Sequence, residues 1–204
     1  MKPIETIMRT APVIPVLVIG DAAYAQPIAQ ALVAGGLRVL EVTLRTAAAL
    51  DVIREMKKVE GAIVGAGTVL NETDLRASLD AGAEFIVSPG LTEPLGKAAV
   101  ASGIPFLPGT ANAGDIMRGL DLGLTHFKFF PAEASGGIAA LKAIAAPFGM
   151  AKFCPTGGIS LATAPDWLAV EPVLCVGGSW VVGKGAPDIA AITAAAIEAA
   201  GLAR

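Results

Sequence analysis

Cysteine, charge and long apolar runs are all scarce in this chain, and each scarcity excludes something. Its 204 residues hold two cysteines, Cys154 and Cys175. Both lie inside apolar strand-like runs, which reads as reduced core packing rather than a disulfide or a metal pair. Charged residues make up 16% of the chain, the net charge is −3 and no basic cluster occurs, which disfavours nucleic acid as a partner. The longest stretch without a charge, 98–114, is punctuated by Gly103, Pro105, Pro108, Gly109 and Gly114. It reads as strand and turns, so no membrane partner is expected. The opening MKPIETIMRTAP carries Glu5 and no continuous apolar core, so it is not a signal peptide, and a cytoplasmic location is the default. What abounds is apolar composition, 54% of residues, enough to suggest that some of it is hidden in an oligomer.

A repeat hides in the punctuation. VAGGLRVLEV, DAGAEFIVSPG, ASGIPFLPG and LGLTHFKFFP share one grammar: a helical segment ends, a Gly follows, and an apolar strand begins. Strands are expected at 13–19, 39–44, 62–68, 85–89, 105–109, 126–131, 152–156 and 173–178. Cap-type residues follow many of them: Asp21, Thr46, Asn71, Thr92 and Asn112. Between strands lie helical patterns such as 47–59, with Leu50, Ile53 and Met56 on one face, and an alanine-rich helix is read at 189–200. Eight β–α units at an even cadence, with no linker or composition shift, predict an α/β fold of one domain, 1–204. A closed (β/α)₈ TIM barrel is favoured over an open doubly wound sheet, at the short end of the barrel's size range.

In a barrel, chemistry sits at the C-terminal strand ends and inward positions alternate. In VLEVTLRT, Leu40, Val42 and Leu44 form an apolar set suited to helices, so Glu41, Thr43 and Arg45 face inward. Alone, Glu41 and Arg45 read equally well as a structural ion pair. In HFKFF, Phe127 and Phe129 form one set and His126, Lys128 and Phe130 the other. Lys128 therefore shares an interior with Glu41 and Arg45, and Thr68 and Thr156 end the third and seventh strands. A lysine in such company can present a neutral amine, attack a ketone and form an imine that acts as an electron sink for an adjacent C–C bond. Glu41 is then the acid/base, Arg45 offers a donor fork to a carboxylate, and Thr68 adds a hydrogen bond. A divalent metal as electron sink needs several ligands, and the single histidine, His126, lies at the N-terminal end of its strand. It reads as structural, with no metal or cofactor expected. Glu133, past the strand end, reads as solvated or loop-anchoring.

Two glycine pairs close the last two strands, in PTGGIS and VGGSWV. Backbone N–H groups of such turns can approach an anion, and a helix start following them would add its positive end. Gly157, Gly158, Gly178 and Ser179 are the phosphate candidates.

Taken in order, LEVTLRT, VGAGTVL, VSPGL, HFKFFPAE, FCPTGGI and CVGGSWV resemble the 2-keto-3-deoxy-6-phosphogluconate (KDPG) and 4-hydroxy-2-oxoglutarate aldolases, over nearly the whole chain. The resemblance implies a homotrimeric (β/α)₈ barrel and a class I, metal-free lyase of the Entner–Doudoroff pathway. It implies reversible cleavage of KDPG to pyruvate and glyceraldehyde 3-phosphate. It assigns the Schiff-base lysine to Lys128, the proton acceptor to Glu41, and the pyruvate part to Arg45 and Thr68. The hydroxylated, phosphorylated end falls to Thr156 and the glycine turns. Preference for 4-hydroxy-2-oxoglutarate or the galactonate epimer stays open. So do a phosphosugar isomerase or epimerase barrel and a non-catalytic binding or assembly protein.

Overall fold

A computed structural model of the protein describes residues 3–183 and 185–203. A short helix, α1 (Ile4–Met8), opens the chain. Then come β1 (Val13–Leu17), a 3₁₀ turn (Ala22–Tyr24), α2 (Ala25–Ala34), β2 (Val39–Thr43), α3 (Ala49–Met56), β3 (Ile63–Gly67) and α4 (Glu72–Asp80). They are followed by β4 (Ile86–Val87), α5 (Glu93–Ser102), β5 (Phe106–Leu107), β6 (Gly109–Thr110), α6 (Ala113–Asp121), β7 (His126–Phe129) and α7 (Gly137–Ala145). Last are β8 (Lys152–Pro155), α8 (Ala164–Leu168), β9 (Val176–Gly178) and α9 (Ile189–Ala200). Every ladder is parallel.

Each of the eight expected strands has a counterpart, several of them shorter than expected (Val13–Leu17 for 13–19, Ile86–Val87 for 85–89, His126–Phe129 for 126–131, Val176–Gly178 for 173–178), and one is divided. The fifth is split at Pro108, which has no N–H to give a ladder. Its halves fall in different sheets: β5-β4-β3-β2-β1-β9, and β6-β7-β8. Instead of one continuous eight-stranded ladder, the hydrogen bonding forms these two parallel sheets, with isolated bridges Phe153↔Val173 and Thr156↔Gly177 between the β8 and β9 segments.

Alternation sorts the core as read from the sequence. Leu40 and Val42 pack outward with Val52, Ile53 and Met56 of α3. Val39 joins a separate inner cluster with Ile14, Ile63, Phe85, Leu107 and Cys154. Both cysteines are buried there. The five-residue α1 is too short to persist alone. Ile7 and Met8, each at most 1% exposed, anchor it to the inner cluster. Burial of each is worth about 1.5–3 kcal/mol.

The punctuation behaves as expected in part. Gly103 ends α5 in the left-handed conformation, φ +70°. Asp21, Asn71 and Asn112 accept from backbone N–H groups as caps. Thr92 occupies an N-cap position without a side-chain bond. Thr46 does not cap α3; its hydroxyl instead donates to the Ile19 carbonyl at 2.7 Å, tying the β1 and β2 ends together. No helix among the described residues is long and apolar enough to cross a membrane.

Candidate active site

β7 places its lysine by giving its phenylalanines to the outer core. Phe127 packs on Phe153 (centroids 6.0 Å apart) and Phe129 on Trp167 (6.3 Å). Lys128, between them, must turn to the inner face. Its Nζ donates to Glu41 Oε1 at 3.1 Å across 87 residues of sequence. The two side chains are only 7% and 4% exposed. The Phe130 ring lies 5.2 Å from the ammonium and completes its apolar wall. Removing one member of such a buried pair strands the other charge, at a cost of about 3–5 kcal/mol.

Arg45 and Thr68 follow β2 and β3 at the same end of the sheet. Register fixes this: Thr43 pairs with Gly67, and Leu44 N–H donates to the Gly67 carbonyl at 2.8 Å. Arg45 is exposed and makes no hydrogen bond or ion pair with the described residues. Thr68 is half-buried at φ +59°, a conformation that costs a β-branched residue on the order of 1–3 kcal/mol.

Thr156 directly follows β8, buried, its hydroxyl 3.4 Å from the Cys154 carbonyl. The Thr156↔Gly177 bridge sets the two glycine pairs side by side. Gly157 is half-buried and Gly158 exposed; Gly178 is buried and Ser179 exposed. Among the described residues no helix starts directly at either turn, contrary to expectation. α8 begins at Ala164 and α9 at Ile189, so any anion there meets backbone and side-chain donors rather than a helix end. Beside them, between the ends of β1 and β9, a pocket of about 280 Å³ is lined by Gly20, Asp21, Tyr24, Val182 and Gly183.

His126 sits at the opposite end of β7 from this rim. Its Nδ1 is 3.1 Å from the Thr125 hydroxyl, and its buried Nε2 makes no hydrogen bond and lies 3.6 Å from Glu5 Oε2. Burial pushes its pKa down, against the pull of Glu5. Glu133 anchors a loop: Trp167 Nε1 donates to its Oε1 at 3.0 Å. Among the described residues no three His, Cys, Asp or Glu side chains converge in the manner of metal ligands.

The sequence matches the family model described as KDPG and KHG aldolase over residues 4–195. The chain belongs to the KDPG and KHG aldolase family. A 2-dehydro-3-deoxy-phosphogluconate aldolase of Zymomonas mobilis subsp. mobilis is 61% identical over 204 residues, 100% of this chain and 98% of that one. The crystal structure of the 2-keto-3-deoxy-6-phosphogluconate aldolase of Zymomonas mobilis ZM4 with 3-phosphoglycerate superposes with a TM-score of 0.97 at 61% identity, covering 98% of this chain and 96% of that one. A KDPG aldolase from Legionella pneumophila, with pyruvate captured as a covalent carbinolamine, is similar at TM-score 0.93 and 42% identity, covering 98% and 99%.

Three contributors to this site escaped the sequence reading. Gly67 and Gly177 leave the inner-face room that Glu41 and Thr156 occupy; a Cβ at Gly177 would stand 2.2 Å from Thr156 Oγ1. Trp167 carries the hydrogen bond to Glu133. The glycines could have been singled out by parity, since Gly65 and Gly67 share the inward set of VGAGTV. Nothing local marks Trp167.

Proposed function

We propose that the chain is a class I carbon–carbon lyase that reversibly cleaves KDPG to pyruvate and glyceraldehyde 3-phosphate. The observation that carries this reading is the buried 3.1 Å contact between Lys128 Nζ and Glu41 Oε1, an amine and a proton carrier at one point. The carbinolamine in the Legionella pneumophila relative supports a covalent amine mechanism.

Lys128 passes a proton to Glu41 and then, as the free amine, adds to the C2 carbonyl of the keto acid. Loss of water leaves a protonated imine. The C4 hydroxyl then gives up its proton and the C3–C4 bond breaks. Its electron pair moves into the imine to form an enamine, and the aldehyde departs. A proton returns to C3, and water hydrolyses the imine to free pyruvate and the lysine amine. Glu41 receives and returns these protons, directly or through water. Arg45 and Thr68 hold the carboxylate end. Thr156 orients the hydroxylated carbons, and Gly157, Gly158, Gly178 and Ser179 take the phosphate. The crystal structure with 3-phosphoglycerate, of an aldolase 61% identical to this chain, supports an anion site in this fold.

In this reading all 204 residues form one (β/α)₈ domain, closed through the Pro108 break and the β8–β9 bridges. It works in the cytoplasm as a homotrimer, consistent with the apolar excess and with exposed Leu70, Met117, Met150 and Ile197. Borohydride reduction in the presence of pyruvate tests the mechanism. The adduct mass is expected on the peptide carrying Lys128, and Lys128→Ala should lose both labelling and turnover. An adduct on another lysine overturns the assignment.

A further inference from the structure

The segment leaving β7 is laced to the turn leaving β8. Ala132 N–H donates to the Thr156 carbonyl at 2.8 Å and Glu133 N–H to the Gly157 carbonyl at 3.1 Å. These bonds carry the parallel pairing past the strand ends, from the lysine's own segment onto the glycine turn. Glu133 then lies across Gly158: a Cβ there would stand 2.6 Å from Glu133 Cγ and 2.7 Å from its Cβ. With φ at +82°, position 158 is closed to side chains by both conformation and contact. The far end of Glu133 is fixed as well, since its Oε1 accepts the indole N–H of Trp167 at 3.0 Å. Trp167 is itself 1% exposed and packed on Phe129, the neighbour of Lys128. Glu133 touches neither Lys128 nor Glu41 in the hydrogen-bonding pattern. It ties the strand that bears the amine to the turn assigned to the phosphate.

We infer that Glu133 is a positioning residue, which fixes the Gly157–Gly158 turn at a set distance from Lys128 and so makes turnover depend on the substrate's phosphate. This rests on the reading of that turn as part of the phosphate site. Without the side chain the two backbone bonds still hold the turn at Thr156 and Gly157. Gly158, however, loses the atoms packed over it and can shift relative to the amine. An error of about 1 Å in such a placement can cost about 10²-fold in rate.

The experiment compares kcat and KM of the wild type, Glu133→Ala and Glu133→Gln on KDPG and on the same keto acid lacking its 6-phosphate. Pyruvate–borohydride labelling reads the lysine end. Glu133→Ala is expected to lose about 10- to 100-fold in kcat/KM on the phosphorylated substrate, mostly in KM. It should change little on the other substrate and label normally. Glu133→Gln keeps an oxygen that accepts from Trp167 and should restore the phosphate preference. Trp167→Phe removes the donor and is expected to shift the preference in the same direction, which keeps the test decisive if Glu133→Ala does not fold. Equal losses on both substrates, or labelling that falls in parallel, would reduce Glu133 to a structural anchor and overturn the inference alone. A wild type indifferent to the phosphate overturns the assignment of the glycine turns, and this inference with it.

Discussion

Glu41 occupies the space where Gly67 has no side chain: a Cβ at position 67 would fall 2.3 Å from Glu41 Oε1 and 2.7 Å from its Cγ. The carboxylate reaches Lys128 because the neighbouring strand is bare at that level. Gly67→Ala should therefore push the carboxylate off the lysine. Turnover is expected to fall about 10²-fold, with an overpacking cost of about 1–3 kcal/mol. Steady-state kinetics and urea unfolding on the same preparation check both numbers. Full turnover with unaltered stability would show that Glu41 does not depend on this gap.

Glu41→Gln separates the amine from the proton carrier. The amide oxygen can still accept from Lys128, so the fold is retained, at some cost in stability for the lost counter-charge, while proton transfer is not. We expect kcat to drop about 10²- to 10⁴-fold and pyruvate with borohydride to keep labelling Lys128. Exchange of the pyruvate methyl hydrogens with deuterated solvent should slow in parallel with kcat. Unimpaired exchange would remove Glu41 from the proton path.

His126 is the single histidine, so its titration can be isolated. Burial holds its pKa below the ordinary imidazole value, about 6.5. Glu5 opposes the shift, while Arg9 and Lys152 reinforce it. The folded chain thus resists protonating a ring that the unfolded chain protonates readily. Stability is full above about pH 6.5 and declines as the pH falls below it. Thermal melts at pH 7.5 and pH 5.5 should show a drop for the wild type that is smaller in His126→Phe. An equal drop in both would place the acid sensitivity elsewhere.

The sequence carried the site's polarity well, because alternation is local. VLEVT and HFKFF each split into two sets of side chains, and the structure puts Glu41 and Lys128 together on one of them. The eight strand positions followed from the glycine and cap punctuation, which is also local. What escaped depends on contacts distant in the chain. IETIM reads as nothing in particular until Ile7 and Met8 are seen buried in the inner cluster. The Glu133–Trp167 bond spans 34 residues, and no spacing announces it. Thr46 looked like a helix cap, but a carbonyl from the neighbouring strand, that of Ile19, took its hydroxyl. Pro108 was visible, yet its effect on the ladder became plain only with partners on either side.

The alternation of β7 also makes chemistry and foldedness inseparable. Because neighbouring side chains there face opposite ways, a slip of one residue would swing the amine out among Phe153 and Trp167 and drive phenyl rings toward the glutamate. A mispaired chain would be catalytically silent as well as unstable. Selection for activity therefore also polices the alignment of this one segment.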